Sequence, residues 1–246
     1  MSTSQSKIQC VILAGGLATR MRPLTEKIPK ALIPIQADKP FAEYQLKWLA
    51  GHGVTDVVFS IGYKGEMIRD AIGDGSRFGL KIVYVDEGSE LKGTAGALRK
   101  AYDQGVLDNN FLVTYGDSFL PVDFGAIFET FKKTGLPALM AVFRNEEKFD
   151  TSNVCYEVGR VTLYDKWIKE KPTAMKYIDY GLSAFSQDLI VREVKAGEKA
   201  DLADLFHRLS AQGKLAGYEV TQRFYEIGSP AGLADFRDLL GKSATP

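Results

Sequence analysis

Five short, almost wholly apolar runs recur early in the chain: IQCVILA (8–14), DVVFSI (56–61), KIVYVD (81–86), NFLVTYG (110–116) and ALMAVF (138–143). Each has the length of a strand, and none shows the regular polar alternation of a strand with one wet face. Strands of this kind have to be covered on both faces. Helical patterns at 41–51, 64–72, 94–104 and 124–133 lie between the runs and supply the covers. The spacing predicts an α/β chain with a doubly wound, mostly parallel sheet of Rossmann-like type, binding its ligands beyond the strand C-termini.

After about Asn145 the rhythm changes. NVCYEV and RVTLYD flank Gly159 and read as a β-hairpin, and IDYGLSAFS reads as a further strand. Helices are expected at about 187–195 and 201–212, then a strand at 215–220. RFYEIGSPAGLADFRDLL gives a short strand, a turn and a closing helix. The whole, residues 1–246, is expected to be one domain, its second half from about 146 adding an inserted β-rich lobe.

Charge narrows the partners. Lys plus Arg (31) balance Asp plus Glu (31), so no net field draws in nucleic acid or anionic lipid, and anion binding has to come from local clusters. The first residues, MSTSQSKIQC, lack the apolar core of a signal peptide, and no run approaches a membrane span. A cytoplasmic protein is expected. Cys10 and Cys155 sit in strand-like runs and read as buried thiols rather than a disulfide. The two histidines, His52 and His207, have no second ligand at metal spacing, which argues against a histidine zinc site. No G-x-S-x-G elbow is present for a Ser-His-Asp hydrolase.

The chemistry gathers at strand ends. CVILAGGLATRMRPLTEKIPKALIPI (10–35) leaves the first strand through Gly15 and Gly16 and then carries Arg20, Arg22, Lys27 and Lys30. Its prolines keep it from becoming a helix. Glycines there let backbone N–H groups approach an anion, while Arg20 and Lys30 can neutralise phosphate. Cation count alone leaves this polyphosphate cradle level with a solvated basic loop. Known phosphate fingerprints do not fit. AGGLATRM lacks G-x-G-x-x-G, GDGSRFG follows a helix, and GSELKGTAG has Walker spacing without the lysine. Asp117 follows the strand FLVTYG, a place for a Mg²⁺ ligand or for a turn or capping residue. Glu226 in YEIGS ends a later strand and can join it. In IKEKP, Lys171 beside Glu170 can hold a second anion.

Taken in order, these elements resemble the sugar-1-phosphate nucleotidylyltransferases, in their short single-domain branch. The family signature L-x-A/C-G-G-x-G-T-R-L-x-P-L-T…P-K-P/A-L-x-P stands in this chain as LAGGLATRMRPLTEKIPKALIPI. The resemblance continues through GTAGAL (93–98), the GDS of Asp117, the EKP of Lys171, DYGLSAF and EIGSP. It implies a nucleotide-binding half, about 1–145, and an acceptor-binding half, about 146–246. Leu13, Ala14, Gly15, Gly16, Thr19, Gly93 and Thr94 would contact the nucleotide. Arg20, Lys30 and Asp117 would be catalytic, and Asp117 with Glu226 would hold Mg²⁺. Asn153, Glu170, Lys171 and Gly181 would face the acceptor, Lys171 taking its phosphate. The reaction implied is NTP plus a sugar 1-phosphate giving NDP-sugar and pyrophosphate. The chain is close in flavour to the heptose-1-phosphate guanylyl and N-acetylmuramate-1-phosphate uridylyl branches. Homo-oligomers are common in the family, though no interface is legible.

Three positions depart from the family pattern. Ala18 replaces the glycine of G-T-R, Glu226 replaces an aspartate, and Ser152-Asn153 stands where a Y-G pair borders the sugar. The last leaves open a cytidylyltransferase with a phosphocholine-like acceptor. A non-catalytic relative would be expected to lose Arg20, Lys30 or Asp117, and a dinucleotide oxidoreductase lacks its glycine fingerprint. Histidine poverty suits the transfer, because a phosphomonoester with a second pKa of about 6 is already an ionised nucleophile. Asp201 reads as a helix cap, with a sugar contact as the alternative. Trp48 reads as core, and Trp167 as a hairpin or acceptor-lobe residue.

Overall fold

The first strand, β1 (Gln9–Ala14), explains the architecture in six residues. Cys10, Val11 and Ile12 are all completely buried. Cys10 and Ile12 point into one core, Val11 and Leu13 into another on the opposite face. The computed structural model describes residues 7–243. The stretch at the very N-terminus in which no signal peptide was read falls mostly outside them.

After β1 the proline-rich segment forms three single 3-10 turns, Thr19–Met21, Leu24–Glu26 and Lys30–Leu32, the short pieces expected where prolines forbid an α-helix. Two small strands follow, β2 (Pro34–Gln36) and β3 (Lys39–Pro40), then α1 (Phe41–Gly51). The repeating part is β4 (Asp56–Ile61), α2 (Gly65–Ile72), β5 (Lys81–Asp86), α3 (Gly93–Asp103), β6 (Asn110–Tyr115), β7 (Ser118–Phe119), α4 (Phe124–Thr134) and β8 (Ala138–Arg144). The rest is β9 (Val154–Glu157), β10 (Arg160–Tyr164), β11 (Tyr177–Ser186), α5 (Gln187–Glu193), α6 (Leu202–Ala211), β12 (Leu215–Val220), β13 (Tyr225–Glu226) and α7 (Pro230–Ser243).

Nine strands form one sheet in the order β5-β4-β1-β6-β11-β8-β12-β10-β9. The first four run parallel, and β4, β5 and β6 are each reached through a helix. No helix separates β8 from β11, and β11 accordingly returns antiparallel to both β6 and β8. The sheet is therefore mixed, with β5, β4, β1 and β6 parallel at one side and a second parallel pair, β8 and β12, beyond β11. The hairpin β9–β10 extends this same sheet at its edge. Helices α1, α2 and α4 bury Leu46, Ile68 and Phe128 on one face. Helices α3, α5 and α6 bury Leu98, Ile190 and Phe206 on the other. From β1 the chain moves outward to β4 and β5, then returns to place β6 on the other side. The switch point between β1 and β6 is where a crevice opens in such folds.

A third cluster ties the proline-rich segment to the end of the chain. Met21, Ile33 and Ile35 pack with Phe41, Phe119, Ile227 and Phe236. The Phe236 ring lies 5.0 Å from Phe119 and 5.2 Å from Phe41. Both cysteines are buried free thiols. Trp48 packs against the core and Trp167 is exposed. Each histidine bonds a backbone carbonyl, His52 to Trp48 and His207 to Tyr164. Among the described residues no helix is long and apolar enough to cross a membrane.

Candidate active site

Where β1 ends, the chain needs glycine for space. A Cβ on Gly15 would fall 2.4 Å from the Glu87 carboxylate, which lies just beyond β5 and accepts from Ser60 Oγ at 3.0 Å. Burial raises the Glu87 pKa. Ala18 then takes a left-handed conformation, φ 50°, in spite of its methyl group. The bend survives without the usual glycine, with Thr25 Oγ1 donating to Ala18 O at 2.8 Å.

Across the switch point, Gly116 N donates to Leu13 O at 2.9 Å and sets the end of β6 beside the end of β1. Asp117 follows. The β7–β13 ladder places Ser118 opposite Glu226, and Ile227 N donates to Asp117 O. This short long-range ladder thus brings together two carboxylates separated by most of the second half of the chain. Lys30 reaches Asp117 with Nζ 2.5 Å from Oδ2, both side chains about one-fifth exposed. Gly228 marks where the charges meet. A Cβ placed on it would lie 3.4 Å from Asp117 Oδ2, 3.6 Å from Arg20 Nη2 and 3.8 Å from Lys30 Nζ.

Of these groups, Lys30 and Asp117 border a cavity of about 260 Å³. Leu13, Ala14, Gly15 and Gly16 form its floor, Lys30 and Asp117 one wall, and Gly93 and Thr94 another. Gly93 holds φ 76° at the start of α3, where a Cβ would strike Ala200 O at 2.4 Å. Ala95 N and Gly96 N donate to that same Ala200 O, and the helix start as a whole favours negative charge. The Thr94 hydroxyl accepts from Leu202 N and donates to Asp201, locking α3 to α6. Asp201 also accepts from Ala203 N, the capping role read from the sequence.

Other residues of the sequence reading lie apart from this lining. Thr19 and Arg20 are on the exposed first 3-10 turn. Gly181 sits at a bulge in β11 with φ 86°, where a Cβ would be 3.7 Å from the Tyr115 ring on the cavity wall. Asn153 is tied into the sheet, its Oδ1 accepting from Asp179 N at 3.0 Å. Lys171 is held by Glu147 at 3.0 Å, and Glu170 beside it is exposed. Ser152 is completely buried and accepts from Asn145 Nδ2, so this departure from the family pattern shapes a loop.

Three groups escaped the sequence reading: Glu87, Asp179 and Gly228. Glu87 occupies a position after a strand end analogous to that of Asp117, a signal the sequence did carry. Asp179, beside Gly181 and Tyr115, is pushed up to about 6 by burial, against a hydrogen bond from Gly181 N.

Glu226 keeps part of its surface in solvent. The protein packed around it, and next the charge of Asp117, push its pKa up to about 7. A divalent cation would relieve that repulsion. Mg²⁺ is ordinarily held by one or two carboxylates together with substrate phosphates. Asp117 and Glu226 fit that donor set, and no cluster of three or more metal-binding side chains occurs among the described residues.

A nucleotidyl transferase family profile matches residues 9–242. The chain is 35% identical over 238 residues to a low-salt glycan biosynthesis nucleotidyltransferase, Agl11, of Haloferax volcanii. That match covers 94% of this chain and 65% of the relative, so the chain spans just under two thirds of its length. It is 27% identical over 234 residues to an N-acetylmuramate alpha-1-phosphate uridylyltransferase of Neisseria meningitidis serogroup B, covering 95% of this chain and 99% of that one. HddC of Yersinia pseudotuberculosis, solved with GMP-PN, shares the fold with a TM-score of 0.78 at 22% identity, over 95% of this chain and 99% of that one.

Proposed function

The chain belongs to the nucleotidyl transferase family, and from that premise we propose that it transfers a nucleoside monophosphate from an NTP to a sugar 1-phosphate, releasing pyrophosphate. The observation that carries the reading is the meeting of Arg20, Lys30 and Asp117 around Gly228, beside a cavity floored by the glycines after β1. The acceptor class follows the Neisseria relative, which is named for a sugar 1-phosphate.

An oxygen of the acceptor phosphate attacks the α-phosphorus, and the bond from that phosphorus to the bridging oxygen of the β-phosphate breaks. The electron pair leaves with pyrophosphate. The nucleophile is already ionised, so no side chain has to remove a proton. The barrier is the approach of two polyanions, and cations aimed at the developing charge lower it. Arg20 and Lys30 supply fixed positive charge at the leaving phosphates. The Gly15–Gly16 backbone admits the nucleotide closely. Lys171 releases Glu147 to take the acceptor phosphate. Gly181 and the Asp179 carboxylate border the acceptor's hydroxyls. Mg²⁺, held by Asp117 and Glu226, would supply further charge neutralisation at the phosphates. Residues up to about 145 serve the nucleotide and those after it the acceptor.

Pyrophosphate release, assayed for the four common NTPs against a set of sugar 1-phosphates and phosphocholine, tests the reading. Turnover is expected with at least one sugar 1-phosphate, and turnover with phosphocholine alone would move the acceptor to the cytidylyltransferase class. Asp117→Ala is expected to lower kcat by about 10²-fold or more. Unchanged turnover in that variant would remove Asp117 from the mechanism.

A further inference from the structure

The turn that carries Asp117 is gripped from behind by a side chain that the reaction does not use. Gln45, on α1, is 4% exposed. Its Nε2 donates to Tyr115 O at 2.8 Å and to Ser118 O at 2.7 Å. Those two carbonyls bracket Gly116 and Asp117. Both can only accept, so the amide NH₂ has to face them and Oε1 has to face away. Oε1 is buried without a partner. Trp48 Nε1, Thr114 Oγ1 and Ser118 Oγ are buried without partners too. All four residues line one small cavity of about 10 Å³, walled otherwise by Leu49, Phe119, Leu120 and Phe124.

A buried polar group left without a partner bears its full desolvation cost, so four around one space call for a shared partner. Gln45 Oε1 can only accept and Trp48 Nε1 can only donate. A cation leaves Trp48 unsatisfied and an anion leaves Gln45 unsatisfied. A water molecule accepts from one and donates to the other, and the two hydroxyls turn to suit. The volume is at the threshold for a single water, roughly 10–15 Å³.

We propose that Gln45 is a positioning residue for Asp117, and that one water bound between Gln45, Trp48, Thr114 and Ser118 completes its grip. Because Ser118 stands opposite Glu226 on the β7–β13 ladder, the same grip sets how the two carboxylates face each other. The inference rests on the proposed function only for the role given to Asp117.

Gln45→Leu, with Gln45→Met as the substitute should the leucine variant not fold, is compared with wild type in two assays. The first is Mn²⁺ binding in the presence of a non-hydrolysable NTP, followed by electron paramagnetic resonance. Affinity is expected to fall about tenfold. The second is steady-state turnover, where kcat falls about 10- to 100-fold while KM for the acceptor stays within about twofold. Thr114→Val leaves the clamp and three water partners in place. It is expected to lower Tm while Mn²⁺ affinity stays within about twofold of wild type. Wild-type Mn²⁺ affinity in the Gln45 variant, or an equal loss in Thr114→Val, overturns the positioning role. For the water, Trp167→Phe leaves Trp48 as the single indole, and its Nε1–H is expected to show a cross-peak to a long-lived water. A missing cross-peak overturns the bridge. Mn²⁺ binding needs no acceptor, so wild type that binds Mn²⁺ and NTP yet turns over no sugar 1-phosphate fails the proposed function alone. Wild type that binds no Mn²⁺ with NTP overturns both.

Discussion

Ala18 holds a backbone conformation, φ 50° and ψ 39°, that disfavours any residue with a Cβ. Glycine pays nothing there but has more freedom to lose on folding. The two effects oppose, with the left-handed cost the larger, so Ala18→Gly is expected to raise stability by up to about 1 kcal/mol. Urea unfolding measures it, and a lower midpoint would contradict it. Asp179 gives a pH prediction. Burial lifts its carboxyl to about 6, above the roughly 3.9 of an unfolded aspartate. A raised carboxyl contributes stability that is present below the unfolded value and lost as pH rises through the folded one. Between about pH 4 and 6.5, Tm of wild type is expected to decline relative to Asp179→Asn, whose profile lacks this component. Thermal melts across that range compare them. Lys30 and Asp117 were legible as candidates, Lys30 through the signature and Asp117 through its strand end, and the structure sets the two side by side. Gln45 was not legible, because a glutamine on an amphipathic helix looks solvated until the turn opposite it is known.

At the scale of elements, α7 has a function that its amphipathic pattern alone does not reveal. Phe236 is completely buried between Phe41, Phe119 and Tyr44, and its cluster includes Met21 and Ile33 from the proline-rich segment and Ile227 beside Glu226. That cluster packs Ile33, next to the Lys30 turn, together with Phe119 and Ile227 of the β7–β13 region. Phe236→Ala is expected to cost about 3–5 kcal/mol and to loosen both supports of the Lys30–Asp117 pair. Calorimetry reads the first effect. Weakened NTP binding in protein still folded at low temperature reads the second. The repeating strands and helices of the first half were legible to within a residue or two, since burial on both faces leaves a continuous apolar run. The two-residue strands β7 and β13 were not resolved as a pair, because so short a ladder has no periodicity of its own.

For the whole molecule, the decisive fact is a single nine-stranded sheet that runs through both halves of the chain. Strand β11, from the second half, lies between β6 and β8 of the first. Neither half can keep its sheet without the other, so scanning calorimetry is expected to show one cooperative transition. Two resolved transitions, with the residues after about 145 melting separately, would contradict that. The apolar runs determined the α/β class, the strands and the covering helices, because burial is written directly into residue type. The order of glycines and cations determined which family the chain resembles. Only the tertiary structure decided that the sheet turns mixed at β11, that a two-residue ladder sets Glu226 beside the Asp117 turn as the resemblance implied, and that Gln45 and Phe236 support the site from behind. Those outcomes depend on contacts between residues far apart in sequence, and no local pattern of polarity records which distant partner a buried side chain will meet.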